Sequence, residues 1–110
     1  MGLDITLYYN IDNNNIEVYD NNITHNLTEM ANNAHLYKAL WRPEEVNIKY
    51  AKDLIEILTV GLHELETKPE YYKQFNPENG WGSYIYLINF IKDYLEACEQ
   101  YPNALIKCCK

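Results

Sequence analysis

The chain has 110 residues, a net charge of −7 and 47% hydrophobic residues, so we expect one globular domain over residues 1–110. No apolar run approaches the roughly 20 residues that span a bilayer, and the first residues do not read as a secretory signal, so we expect no membrane segment. The acidic balance, with only nine scattered lysines and arginines, argues against a protein that grips DNA through its phosphates.

The N-terminal residues predict a β-hairpin. Residues 3–9 alternate and are rich in β-forming side chains, and residues 16–19 form a second short run of the same kind. Residues 12–15 between them are Asp and Asn, which tolerate the left-handed backbone angles of a tight turn. A lone hairpin is barely stable in water, so it needs a partner. Residues 104–109 predict a last strand that pairs with it.

Three helices are predicted between the hairpin and the last strand. The first covers residues 26–42 and begins at Asn26, a good N-cap residue. The second covers residues 48–67 and carries a regular apolar stripe, beside which Gly61 would permit close contact with another helix. The third covers residues 83–100. The order β-β-α-α-α-β predicts an α+β fold, with a three-helix layer packed on a small sheet.

Sequence motifs for catalysis and for metal binding are mostly missing. The chain has no phosphate-binding loop and no dinucleotide fingerprint, and its three histidines follow no spacing that predicts a shared metal site. An odd number of cysteines near the C-terminus indicates reduced thiols rather than disulfides. We therefore expect no catalytic residue, metal or cofactor.

The start of the first predicted helix is one candidate ligand-binding segment. Thr24, His25 and Asn26 place side-chain donors where a helix N-terminus offers free N–H groups and a partial positive charge. Such a site favours a phosphate or another anion. The alternative is that Thr24 and Asn26 only cap the helix and that His25 is exposed.

Two further segments hold residue types suited to a ring-bearing anion. Asn79, Trp81 and Tyr84 lie before or at the start of the third helix, and the glycines that flank Trp81 would let the indole stack on a base. At the end of the first helix, Trp41 and Arg42 offer a guanidinium that can hold a phosphate bidentately. The alternatives are core packing for Trp81 and helix capping for Arg42.

The helix order predicts which segments meet. If neighbouring helices run antiparallel, the first and third helices begin at the same end, so residues 24–26 and 79–84 lie close together. Arg42 then lies at the far end, unless a homo-oligomer supplies it from a second copy. This arrangement predicts a non-enzymatic pocket for a small anionic, nucleotide-like ligand. The alternatives are a protein–protein inhibitor with an acidic face and exposed tyrosines, or a small enzyme that uses His25 or His63.

Three segments together resemble a group of small proteins encoded by tailed bacteriophages. They are residues 22–27 (NITHNL), 40–43 (LWRP) and 79–82 (NGWG), in this order, and this chain has an additional loop and strand around residues 11–20. The resemblance implies a phage anti-defence protein that acts in the host cytoplasm. Such a protein would sequester a nucleotide-type immune signal or block a host defence protein directly. The resemblance carries no catalytic residue to this chain.

Overall fold

A three-stranded antiparallel sheet underlies several helices in the computed structural model, which describes residues 2–78 and 82–110, and the first strand of the hairpin is the central strand of the sheet. This α+β arrangement confirms the predicted fold class. No helix within those residues combines the length and the apolar character that crossing a membrane requires. The strands are β1 (Gly2–Ile11), β2 (Asn14–Thr24) and β3 (Leu105–Cys109), and the helices are α1 (Thr28–Asn33), α2 (Tyr37–Trp41), α3 (Ile55–Thr67), α4 (Pro69–Lys73) and α5 (Tyr84–Gln100).

The hairpin is longer than the alternating pattern predicted, while its turn lies where the asparagines indicated. Asp12 and Asn13 have φ angles of 52° and 66°, which are the left-handed values of a two-residue type I′ turn. A bulge between Leu7 and Tyr8 leaves Val18 as an additional residue on β2, because Leu7 pairs with Tyr19 and Tyr8 pairs with Glu17. The pairing then continues to the ends of both strands.

One face of the sheet is covered by the helices, and the other face is open. On β1, the side chains of Leu3, Ile5 and Leu7 are fully buried, whereas Asp4 between them is exposed. This alternation is expected of an antiparallel sheet with a single packed face. Helix α5 lies against β2, where the rings of Tyr94 and Tyr19 stack with centroids 6.1 Å apart. Strand β3 pairs with β1, as predicted.

The prediction of one continuous helix over residues 26–42 is wrong. Thr24 rather than Asn26 is the N-cap of a 3₁₀ turn, and α1 then ends after six residues in a Schellman motif. In that motif the N–H of Leu36 donates to the carbonyl of Ala31 at 2.8 Å, and His35 takes the left-handed position with φ 62°. The chain changes direction there before α2 begins, so the two halves of the predicted helix do not share one axis.

The third predicted helix is confirmed to within one residue, whereas the second begins later than predicted, because residues 48–50 are not helical and Tyr50 forms a β-bridge with Leu105. A 3₁₀ turn over Ala51–Leu54 precedes α3, and α5 begins at Tyr84. Gly61 of α3 lies against the buried side chain of Leu36. A Cβ atom on Gly61 would come within 2.7 Å of three carbon atoms of Leu36, so the missing side chain permits a close contact. The contact is with the turn between α1 and α2, whereas we had predicted a contact with another helix.

Candidate ligand-binding groove

The end of β2 and the segment before α5 meet in the structure. A Cβ atom placed on Gly82 would lie 2.7 Å from Cγ2 of Thr24, and Gly82 has a φ angle of 98°. Only glycine combines that backbone angle with so close an approach. The segment that begins the first predicted helix and the one that begins α5 are therefore neighbours. Asn79 and Trp81, which we also predicted for this site, lie outside the described residues.

A surface groove of about 560 Å³ opens beside this contact, and we refer to it as the β2–α5 groove. Three of its polar residues, Asn22, Asn89 and Asp93, are exposed. Within residues 2–78 and 82–110, the side-chain amides of Asn22 and Asn89 have no hydrogen-bond partner, so both can bind a ligand. The residues that line the groove are Asn21, Asn22, Ile23, Thr24, Leu27, Gly82, Tyr86, Asn89, Phe90 and Asp93.

The exposed aromatic ring of the groove belongs to Tyr86 and not to Tyr84. Tyr84 is only 6% exposed, and its hydroxyl donates to the backbone carbonyl of Leu65 at 2.6 Å. Burial raises the pKa of Tyr84, as expected for a phenol inside the core. Tyr86 is 65% exposed and lines the groove. The prediction that Tyr84 stacks on a ligand is therefore wrong, because its ring is packed between the helices.

The groove carries no cationic side chain among its described lining residues. Its one charged group is the carboxylate of Asp93, and its other polar side chains are those of Asn, Thr and Tyr residues. Positive potential comes from the start of α5, a helix of 17 residues. There the N–H of Tyr84 donates to Oδ1 of Asn76 at 2.8 Å, and the N–H of Leu87 donates to the Ser83 carbonyl. The N–H groups of Ile85 and Tyr86, between them, have no hydrogen-bond partner among the described residues. The groove thus presents amide and hydroxyl groups more than charge.

Thr24 serves the local capping role that we gave as the alternative, whereas His25 is half-buried and not exposed as that alternative had it. The hydroxyl oxygen of Thr24 accepts a hydrogen bond from the backbone N–H of Asn26 at 3.3 Å. That N–H is one of the donors on which the predicted anion site depended. Because α1 has only six residues, its dipole is also small. Thr24 still lines the groove. The helix start that was predicted to bind a phosphate has one of its N–H donors already bonded and only a small dipole, so it is not suited to that role.

His25, Trp41 and Arg42 form a connected cluster next to the groove. The indole N–H of the buried Trp41 donates to Nδ1 of His25 at 2.8 Å, so this imidazole nitrogen carries no proton. The ring of Tyr37 stacks on Trp41 with centroids 5.8 Å apart, and the Tyr37 hydroxyl accepts from Nε of Arg42 at 3.1 Å. Arg42 therefore lies near His25 in the same chain, and our placement of it at the far end is wrong.

The break at His35 is the physical reason for this correction. A straight helix over residues 26–42 would carry Arg42 away from His25, but the turn after α1 brings α2 back toward the end of β2. The guanidinium of Arg42 already has two partners there, Tyr37 and Glu45. It forms an ion pair with Glu45 at 3.4 Å, and its pKa is raised first by the hydrogen bond to Tyr37 and then by Glu45. None of His25, Trp41 and Arg42 lines the β2–α5 groove.

Comparison with known proteins does not assign a function to the groove. No family model, curated protein or solved structure matches the chain. Among the described residues, no group of three or more His, Cys, Asp or Glu side chains is arranged to hold a metal ion. The function must therefore be argued from the groove itself.

Proposed function

We propose that this chain is a binding protein that captures a small nucleotide-type ligand in the β2–α5 groove without changing it chemically. The observation that supports the proposal most directly is the contact between Gly82 and Thr24. This contact joins two segments that are far apart in sequence and leaves beside them an open groove with an exposed aromatic ring and unpaired amides. The volume of about 560 Å³ is in the usual range for a small-molecule site.

The chemistry of the lining suits a nucleoside. Stacking of a base on an aromatic side chain contributes about 1–3 kcal/mol, and the exposed ring of Tyr86 offers such a surface. The free amides of Asn22 and Asn89 each provide a donor and an acceptor, as the edge of a base requires. The carboxylate of Asp93 accepts hydrogen bonds from sugar hydroxyl groups, so each part of a nucleoside has a counterpart in the groove.

The charge of the site limits the phosphate content of the ligand. The chain has a net charge of −7, and Asp93 adds a negative charge within the groove. The start of α5 supports one phosphate-sized anion, since a helix N-terminus contributes about half a positive charge. We infer that ligands with one phosphate, or with phosphates in esterified bridges, bind better than nucleoside triphosphates.

The resemblance to tailed-phage proteins supplies a biological setting for this proposal. A small phage protein that binds a nucleotide stoichiometrically would lower the concentration of an immune signal in the host cytoplasm. Such a role needs an accessible groove and tight binding, and it needs no catalytic group. The proposal therefore places the protein in the host cytoplasm as an anti-defence factor.

Equilibrium dialysis against a panel of nucleotides tests the proposal. The panel contains nucleoside monophosphates, triphosphates, cyclic dinucleotides and ADP-ribose, with protein in excess over each compound. We expect one class to be depleted at a fixed stoichiometry and to be recovered unchanged, by mass, after heating of the complex. Depletion of none would overturn the proposal, and recovery of a compound with altered mass would show an enzyme instead.

A further inference from the structure

A second groove lies along α3, and it shares no residue with the β2–α5 groove. It measures about 710 Å³ and lies between α3 and the turn that ends α1. We refer to it as the α3 groove. Its lining consists of Ala34, His35, Asp53, Glu56, Ile57, Val60, Gly61, Glu64 and Lys68.

The floor of the α3 groove is apolar and open to solvent. Val60 is 63% exposed, although it is a large aliphatic residue in the middle of a helix. Ile57 is half-buried one turn earlier, and the buried Gly61 and Ala34 have little or no side chain. The result is an apolar strip along α3 that no described part of this chain covers.

Acidic side chains border this strip. Glu56 and Glu64 lie on the same side of α3 as Val60, four residues before it and four residues after it. Asp53 lies three residues before Glu56, in the 3₁₀ turn that precedes α3. Against these three carboxylates stands one ammonium group, Lys68, which leaves a net charge of −2 when His35 is neutral. Glu56 is exposed and has no ion-pair partner within residues 2–78 and 82–110, so its charge is available to a partner.

Glu64 is held in a fixed position at one end of the strip. Its carboxylate accepts a hydrogen bond from the Tyr72 hydroxyl at 2.6 Å and forms an ion pair with Lys68 at 3.2 Å. The bond from Tyr72 and then the one from Lys68 lower the pKa of Glu64, so this group is ionised at neutral pH. At the other end, the Asp53 carboxylate accepts from the backbone N–H groups of Lys49 and Tyr50.

We propose that the α3 groove docks a basic amphipathic helix of a partner protein. The apolar side chains of that helix would cover Val60 and Ile57, and its Lys and Arg side chains would lie over Glu56, Glu64 and Asp53. This is helix-in-groove recognition, in which anchors spaced three or four residues apart enter an apolar channel. The charge of the rim, together with the net charge of −7, selects a basic helix over an acidic one.

The experiment measures binding of a labelled model helix by fluorescence anisotropy. The probe is a peptide of about 18 residues, roughly five helical turns, with leucines on one face and lysines on the other. A second peptide replaces every lysine with glutamate. We expect the lysine peptide to bind at one-to-one stoichiometry and the glutamate peptide not to bind.

Matched variants separate docking from general attraction between charges. Val60→Glu removes the apolar anchor while adding a negative charge, so it should weaken binding about tenfold if the groove is used. Plain charge attraction would strengthen it instead. Val46→Glu, at an exposed position outside the groove, should change little. Likewise, Glu56→Lys should weaken binding severalfold, and Glu99→Lys, an exposed position on α5, should not.

The proposal is overturned if Val60→Glu binds as tightly as the parent chain, or if Glu56→Lys and Glu99→Lys weaken binding equally. Thermal melts followed by circular dichroism verify that each variant is folded, which is expected because all four positions are exposed. The outcome is independent of the nucleotide proposal, since the two grooves have no residue in common.

Discussion

Replacing Gly61 with alanine sets two opposing energies against each other. Alanine in a helix interior is favoured over glycine by about 0.8–1 kcal/mol, so propensity alone predicts a more stable protein. The new Cβ atom, however, would lie within 2.7 Å of Cγ and both Cδ atoms of Leu36. Ordinary carbon contacts are about 3.5–4.0 Å, so three atoms of a fully buried side chain must move together.

The packing term should exceed the propensity term. Insertion of an additional methyl group into a packed core costs about 1–3 kcal/mol, and Leu36 has no solvent-exposed space into which it can turn. We expect Gly61→Ala to destabilise the fold by about 1 kcal/mol net, which lowers the melting temperature by several degrees. Urea denaturation followed by circular dichroism gives the unfolding free energy of each variant.

A double-mutant cycle tests the cause of this loss. Leu36→Ala removes all three carbon atoms that the new Cβ would meet, and by itself costs about 2–5 kcal/mol. In that background Gly61→Ala should become stabilising by about 1 kcal/mol, because only helix propensity remains. The reasoning is refuted if Gly61→Ala has the same sign with and without the Leu36 side chain.

Two other predictions concern backbone strain and buried thiols. His35→Gly should stabilise the protein by about 0.5–1 kcal/mol, because glycine adopts the left-handed backbone angle of this position without cost. His35→Val should destabilise it. Equal midpoints of urea denaturation for the two variants would contradict the Schellman assignment. Burial raises the pKa of the Cys98 thiol to about 12, so the unfolded chain loses this proton first as the pH rises above about 9. The unfolding free energy should therefore fall from about pH 9 toward pH 12, and it should fall less steeply in Cys98→Ala. If the unfolding free energies of the parent chain and of Cys98→Ala fall equally steeply with pH in reducing buffer, Cys98 is not buried as described.

The parts of the fold that repeat a simple period were predictable from the sequence. Alternation located β1, and the asparagine-rich turn located the hairpin. The apolar stripes located α5 and the end of α3 to within a residue, but not the start of α3, which is at Ile55. Strand β3 and its pairing with β1 followed from the need of the hairpin for a partner. These elements depend on local pattern and on the burial of one face, which a sequence carries directly.

The break between α1 and α2 was not predictable in the same way. The residue at the left-handed position is His35, whereas a helix end of this kind usually has glycine there. The apolar spacing of residues 27–41 continues through the break, so periodicity gave no warning. The predicted location of Arg42 depended on a straight helix and was wrong for that reason alone.

The error at Tyr84 had a signal in the sequence. Tyr84 begins the same apolar stripe as Ile88 and Ile91, so its place in the core was already indicated by its spacing. Tyr86 lies off that stripe on the polar side of α5, and an exposed aromatic residue there is the better candidate for ligand contact. The meeting of Thr24 with Gly82 depended on tertiary packing, and the antiparallel order of the helices anticipated it.

The central claim is that Tyr86 is the stacking surface of a ligand-binding groove. The most direct test is calorimetric titration, with the nucleotide class that dialysis selects, of three proteins: the parent chain, Tyr86→Ala and Ile85→Ala. Ile85 is the neighbouring residue, is 57% exposed and does not line the groove, so it is a matched control.

We predict that Tyr86→Ala weakens binding about tenfold or more, as expected from the loss of about 1–3 kcal/mol of stacking, and that Ile85→Ala binds as the parent does. If Tyr86→Ala retains the parent affinity, or if the two variants lose affinity equally, the ligand does not stack in the β2–α5 groove and the central claim is contradicted.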